Sequence, residues 1–384
     1  MVPLGEPDLN AQAQPVEVAA GPATVLPGFR NERLLRVGFV GCGDHSFRNI
    51  YPALRYCPVE LVAVCDRDPD RAEQYRVQFG AGRSTSNPRE LLADGLDAVF
   101  VVTGYEPTDS GARTTHADLA CDFLAEGVST WVEKPPANDL REIRALRDAK
   151  RDGGAAAYAV GYKKAFTPAT RHVVRLMQRP EFGSLTTMTA RYPQPIPSPH
   201  DEPGGLDVIG FLDHLSHPAA LIRALAGPTR SISHVRTADG TGFITFFLER
   251  GAIASLHLGP YSYRPGLAER TEVNGQAASI VVENNVRVMW YPGGEIAPYG
   301  QAADFTDWAG VTQWEPEFSL GQLYNKGLFV LGYHGELVHF CDAVLAGRDV
   351  EVGGIDAAEE HLRIFTAIRR RSSGETVELA GIEG

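Results

Sequence analysis

The chain has 384 residues, of which 43% are hydrophobic and 22% charged, the balance of an ordinary globular protein of two or three domains. A formal net charge of −12 argues against nucleic acid or an anionic membrane as partner, and no apolar run approaches the ~20 residues of a membrane span. Five cysteines (Cys42, Cys57, Cys65, Cys121, Cys341), without C-x-x-C spacing, read as small buried residues of a reduced cytoplasmic protein, with no metal or disulfide framework.

Residues 1–33 lack both an early positive charge and a continuous apolar core, so they do not read as a secretory signal. Their Pro, Ala and Gly content predicts a flexible or extended arm. From Leu34 the run through Val40 is almost wholly apolar, as in a strand buried on both faces, and enters Gly41-Cys42-Gly43-Asp44-His45-Ser46. A helical pattern follows (Phe47, Ile50, Tyr51, Leu54). A glycine turn between a parallel strand and a helix is a seat for a pyrophosphate: Gly41 permits the turn, Gly43 lets the backbone approach, and free N–H groups from Asp44 to Ser46 face the anion. Ser46 stands where a third glycine or alanine is usual.

A second apolar run, Leu61–Cys65, ends at Asp66, 23 residues past Gly43 and near the spacing of a ribose-binding carboxylate. An aspartate there favours NAD. Arg67 follows directly and keeps NADP open, and Asp66 has a second reading as the cap of the helix starting at Asp68-Pro69. Further strands are predicted over Leu96–Thr103, Ser129–Val132 and Ala155–Tyr162, with helices between them and a loop at Gly104–Arg113. Thr103 and Glu133 close two of these strands, at the edge where ligands sit in an open parallel sheet. Strand-helix alternation is the mark of a doubly wound sheet. Past about residue 160 helices at Thr167–Gln178, Leu206–Leu225, His334–Leu345 and Asp356–Arg371 flank successive strands between Ser184 and Tyr291. The reading is therefore an arm (1–33), a Rossmann domain (34–160) and an α+β domain (161–384) with a large, mainly antiparallel open sheet.

Only five of the 36 basic residues are lysines, and lysine alone among them shifts its pKa enough to exchange protons. Glu133-Lys134-Pro135 at a strand end therefore marks Lys134 for proton transfer at a carbonyl or alcohol oxygen, if its surroundings lower its pKa; a solvated strand-end lysine is the alternative. Asp213 and His217, four apart in a helix, lie on one face. Arg191 and Tyr192, ending the first strand of the second domain, are placed to meet a sugar hydroxyl or a phosphate, or to serve structure alone.

Gly41-x-Gly43, Asp66, Glu133-Lys134-Pro135, Gly204-Gly205, Asp213-x-x-x-His217, Glu283-Asn284 and the closing LVHFCDAVLAG together resemble the glucose-fructose oxidoreductase / inositol dehydrogenase / MocA (Gfo/Idh/MocA) family. The resemblance runs from about Leu34 to the C-terminus. It implies a nicotinamide-dependent oxidoreductase of sugars, inositols or related polyols, Lys134 as catalytic lysine, and Asp213 and His217 as its acidic and imidazole partners. It further implies a substrate contact at Lys163, or at Lys164, a place for His116 near the nicotinamide or in structure, a pocket lining by Tyr333 and His334, and a homo-oligomer (dimer or tetramer). Leu215 and Ala220 depart from the family pattern, which leaves the substrate face undefined. Two other readings keep the fold: a redox-neutral enzyme with recycled NAD, cleaving or epimerising glycosides, and a non-catalytic nucleotide sensor.

Overall fold

The structure is a computed structural model that describes residues 33–109, 111–260, 268–293, 310–316, 326–370 and 373–383; the expected arm lies outside them except for Arg33. Strands β1 (Leu35–Val40), β2 (Val59–Cys65), β3 (Arg83–Thr85) and β4 (Ala98–Val101) come first, with β5 (Glu106–Thr108), β6 (Gly111–Arg113), β7 (Ser129–Val132) and β8 (Tyr158–Val160) after them. Six of these form one parallel sheet in the order β3-β2-β1-β4-β7-β8, the doubly wound arrangement with its reversal beside β1. β1, β4 and β7 are buried almost throughout, which explains their unbroken apolar sequences.

The connecting helices are α1 (Tyr51–Leu54), α2 (Pro69–Phe79), α3 (His116–Ala125) and α4 (Leu140–Gly153). The turn after β1 leads into a wide π-type stretch, Ser46–Ile50, before α1. Asp68 caps α2, accepting from the Asp70 and Arg71 amides with Pro69 at the first position, and Asp139 caps α4 in the same way. The predicted loop at 104–113 is in fact a small antiparallel hairpin, β5–β6. Gly111 takes φ 136° there, and a Cβ on it would fall 1.6 Å from the Gly204 carbonyl. Only glycine lets this hairpin press on the second domain, where the Ala112 amide donates to Gly204 O at 3.0 Å.

The second half contributes α5 (Pro168–Met177), β9 (Leu185–Tyr192), α6 (Leu206–Ala226), β10 (Thr229–Arg236), β11 (Gly242–Leu248), β12 (Ile253–Leu258), β13 (Arg270–Gly275), β14 (Ser279–Glu283), β15 (Arg287–Tyr291) and β16 (Thr312–Trp314). The chain then adds α7 (Lys326–Val330), α8 (Tyr333–Leu345), α9 (Ile355–Arg370) and β17 (Thr376–Glu378). Nine strands make one sheet, β16-β15-β14-β13-β9-β12-β11-β10-β17, antiparallel at every junction except β9–β12. Its strands alternate buried and accessible residues, so one face packs under α5, α6 and α9. One apolar cluster runs from the α3–α4 side of the first sheet into this helix-covered face. α8 returns to the first sheet, where Leu337 and Phe340 pack among Phe39, Phe100 and Trp131.

Candidate active site

At the carboxyl ends of β1, β2 and β4 a crevice of about 460 Å³ is lined by Gly41, Gly43, Asp66, Arg67, Arg71 and Thr103, among others. Gly41 has φ 106°, and a Cβ there would lie 2.0 Å from the Val102 carbonyl oxygen, so glycine is required. Around Gly43 the space is open, leaving room for a ligand against the backbone. Asp66 accepts from the Cys42 amide at 2.8 Å and the Asp68 amide at 3.0 Å, and Arg71 stands 3.8 Å away. It thus ties the glycine turn to the next strand, while Asp68 does the capping. Ser46 is fully buried with its hydroxyl unpartnered, an orphan donor at the start of the helix. An open backbone cradle, a carboxylate one strand away and an orphan hydroxyl fit a dinucleotide.

Next to the crevice, β7 ends in Glu133 and Lys134. Lys134 Nζ lies 2.7 Å from Asp213 Oδ2 on α6, and the Tyr105 hydroxyl donates to Asp213 Oδ1 at 2.9 Å. Burial, with Asp213 beside it, pushes the Tyr105 phenol above its ordinary range, so it remains a donor. Glu133 accepts from His45 Nε2 at 2.7 Å and from the Lys134 amide at 3.0 Å. The Asn49 amide group faces His45 Nδ1 at 3.1 Å, which puts the imidazole proton on Nε2, toward Glu133. Burial raises the Glu133 carboxyl, but the His45 hydrogen bond and the Lys134 charge outweigh it and bring the group below its ordinary value.

A second cavity of about 290 Å³ opens on His217, Lys163, Lys164, Tyr192, Asn284 and Asn285. His217 is buried with Nδ1 unpartnered; burial, then the charges of Lys134, Lys164 and Lys163, depress its pKa well below the ordinary value. It is therefore a neutral imidazole at physiological pH. Lys164 pairs with Glu269 and lies 4.7 Å from the Tyr192 ring centre. Lys163 donates to the Tyr333 hydroxyl at 2.6 Å.

Residues 35–162 match a family model described as "Oxidoreductase family, NAD-binding Rossmann fold", that of Gfo/Idh/MocA proteins. The match covers a third of the chain, its first domain. Over 154 residues this chain is 30% identical to a scyllo-inositol 2-dehydrogenase (NAD(+)) of Bacillus subtilis (strain 168), covering 40% of this chain and 42% of that protein. It is 29% identical over 267 residues to a dTDP-3,4-didehydro-2,6-dideoxy-alpha-D-glucose 3-reductase of Saccharopolyspora spinosa, covering 65% and 74% respectively. The chain spans about half the length of the first curated relatives it matches. A dehydrogenase of Chromobacterium violaceum shares the fold, with TM-score 0.69 and 23% identity over 88% of this chain and 94% of that one.

Of the residues expected from the Gfo/Idh/MocA pattern, Gly41, Gly43, Asp66, Arg67 and Thr103 line the crevice, and Lys134 and Asp213 meet. Asp44 points its carboxylate into solvent, 4.0 Å from Arg48, and what it turns toward the glycine loop is its backbone. One expectation needs correction. Arg191 is absent from the His217 cavity that Tyr192 lines, because successive side chains of a strand face opposite sides; Arg191 lies beside His257 on the other face. Asp213 does not bond His217, one turn on; its neighbours are Lys134, Tyr105 and, at 3.4 Å, His214. His116 sets its ring nitrogens against the Pro135 and Thr103 carbonyls at 2.8 and 3.1 Å, bracing the exits of two strands. His334 packs on Phe329 and Tyr56. Tyr105, Arg71 and Glu336 were not found from sequence. No local pattern marks them, since each acquires its place through tertiary contacts.

Proposed function

We propose that this protein is a nicotinamide-dependent oxidoreductase, using NAD in preference to NADP, that interconverts C–OH and C=O on a sugar, inositol or sugar-derived substrate. The observation that carries the reading is the Lys134–Asp213 pair at 2.7 Å, set at a strand end beside a glycine turn of the NAD-binding type. Asp66 supports the preference for NAD, since a carboxylate accepts from ribose hydroxyls and repels a 2′-phosphate. Bound in the crevice, a nicotinamide supplies or accepts the hydride.

The chain's own residues handle the proton. Lys134 Nζ takes the hydroxyl proton in oxidation and returns it in reduction, and Asp213 holds the ammonium in place while Tyr105 fixes the carboxylate from its other oxygen. Neutral His217 meets a substrate hydroxyl as hydrogen-bond partner and auxiliary base. Lys163, Lys164 and Tyr192 line the space the substrate would occupy. Glu133, braced by His45, buttresses the strand end that carries Lys134. The domain division near residue 160, with substrate groups coming mostly from the second half, belongs to the same reading, as do a cytoplasmic location and a dimer or tetramer.

Calorimetric titration with NADH and NADPH tests the reading first, followed by a panel of polyols and keto-sugars. Tight NADH binding and absorbance change at the nicotinamide with a polyol are the expected results. Binding of neither nucleotide, in protein free of co-purified nucleotide, would sink the proposal; tight binding with no turnover across the panel would favour the sensor. Substrate conversion with a retained nucleotide unchanged in oxidation state would replace it with the redox-neutral enzyme.

A further inference from the structure

The His217 cavity holds a cation that its own carboxylates do not answer. Three of the chain's five lysines act on His217: Lys134, Lys163 and Lys164. Lys134 is paired with Asp213, and Lys164 with Glu269, which also accepts from Asn285 Nδ2 at 2.8 Å. Glu133 is taken by His45. Glu336, which also faces Lys163, is buried with both carboxyl oxygens unbonded, and burial, then the Glu133 charge, keeps its proton on. That leaves Lys163. Among the described residues no carboxylate lies within ion-pair distance of its ammonium, whose bond goes to the neutral Tyr333 phenol.

Lys163 is half-buried, its ammonium 4.3 Å from the centre of the same Tyr333 ring, and a half-buried ammonium lacking a counter-ion is costly unless a ligand brings one. Resting on the oxidoreductase reading above, we infer that the substrate carries an anionic group, a carboxylate or a phosphate, and that Lys163 receives it. His214 and the Asn284–Asn285 turn, both asparagines at positive φ, line the same cavity and offer polar neighbours for the group. At about 290 Å³ the cavity is at the small end of ligand pockets, the scale of an acidic monosaccharide rather than a nucleotide-linked sugar.

Matched pairs test this: a hexuronate and a hexose 6-phosphate, each against its parent hexose, with NAD and the full chain. One acid is expected to exceed its parent in kcat/KM by about tenfold or more, the worth of a charge-assisted hydrogen bond. Which acid gains distinguishes carboxylate from phosphate. In Lys163→Met the acid-to-parent ratio is expected to fall to about one, and Lys163→Arg to retain most of it; NADH titration of both checks that they fold. In the wild-type protein, raising salt from about 50 to about 500 mM is expected to raise KM for the acid and not for the parent, independent of any variant. A parent hexose turned over as well as both acids, a ratio unmoved in Lys163→Met, or a salt-insensitive KM overturns the anion seat and leaves the dehydrogenase standing. Failure to bind NADH, with no pair turned over, overturns both.

Discussion

The two cavities are made of different material. The crevice beside β1 is anchored on backbone, a glycine turn with open space at Gly43, with Asp66 spending its oxygens on main-chain amides, and charged side chains such as Arg67, Arg71 and Asp118 complete its walls. The His217 cavity is built from side chains brought from α6, β9, the Lys163–Phe166 turn and the β14–β15 turn, with two lysines, two histidines and Glu269 among them. A backbone site is dictated by local conformation and tolerates change poorly. A side-chain site can be re-specified residue by residue on the same frame.

This difference also decides what could be read in advance. The parallel sheet and the crevice were legible because apolar strands, glycine turns and strand-end carboxylates are local signals whose spacing fixes their placement. The helices between the strands were legible from the strand-helix alternation, although the cap of α2 is Asp68 and not Asp66. The side-chain cavity was legible only in part. Arg191 and Tyr192 are adjacent in sequence, and strand alternation admits one of them; nothing local says which. The Asp213–His217 spacing correctly puts both on one helix face, but it cannot foresee that Lys134 and Tyr105, 79 and 108 residues away, claim the carboxylate. The β5–β6 hairpin that carries Tyr105 depends on Gly111 fitting against Gly204, a contact between distant segments.

The contrast can be broken at several points. The largest effect is expected from Lys134→Ala, which removes the group proposed above to carry the proton: kcat should fall by about 10²–10⁴, with a much smaller change in NADH affinity. A variant with full turnover on a substrate of the wild type would remove Lys134 from the chemistry. Gly41→Ala attacks the backbone site instead. Its Cβ would overlap the Val102 carbonyl at a φ that costs about 1–3 kcal/mol in a non-glycine residue, so NADH binding should weaken at least tenfold alongside a lower Tm. Unchanged titration curves would show that the turn does not seat the nucleotide.

Tyr105→Phe sharpens the boundary between the two cavities. The phenol shares Asp213 with Lys134, and without it the carboxylate directs more of its charge at the ammonium. The pair also loses the brace that fixes its geometry, so kcat should fall roughly three- to tenfold with NADH affinity unchanged. A purely structural tyrosine would lower stability and leave kcat in place.

The smallest effect is expected at Glu336, on α8, near enough to Glu133, Lys163 and Lys134 to feel their charges. Its carboxyl is buried without a hydrogen bond, its pKa raised by burial and then by Glu133, while Lys163 and Lys134 pull the other way. A folded-state pKa above the unfolded value means that the native state binds the proton more tightly. The stability from this linkage is fully present below the ordinary carboxyl pKa of about 4.5 and is lost as pH rises toward the folded value. Glu336→Gln keeps the shape and removes the ionisation. The variant should match the wild type near pH 4.5 and exceed it by a widening margin as pH rises toward 8. Denaturant titrations at both pH values check this. An equal stability offset at the two would mean that Glu336 ionises freely and carries a negative charge facing Lys163.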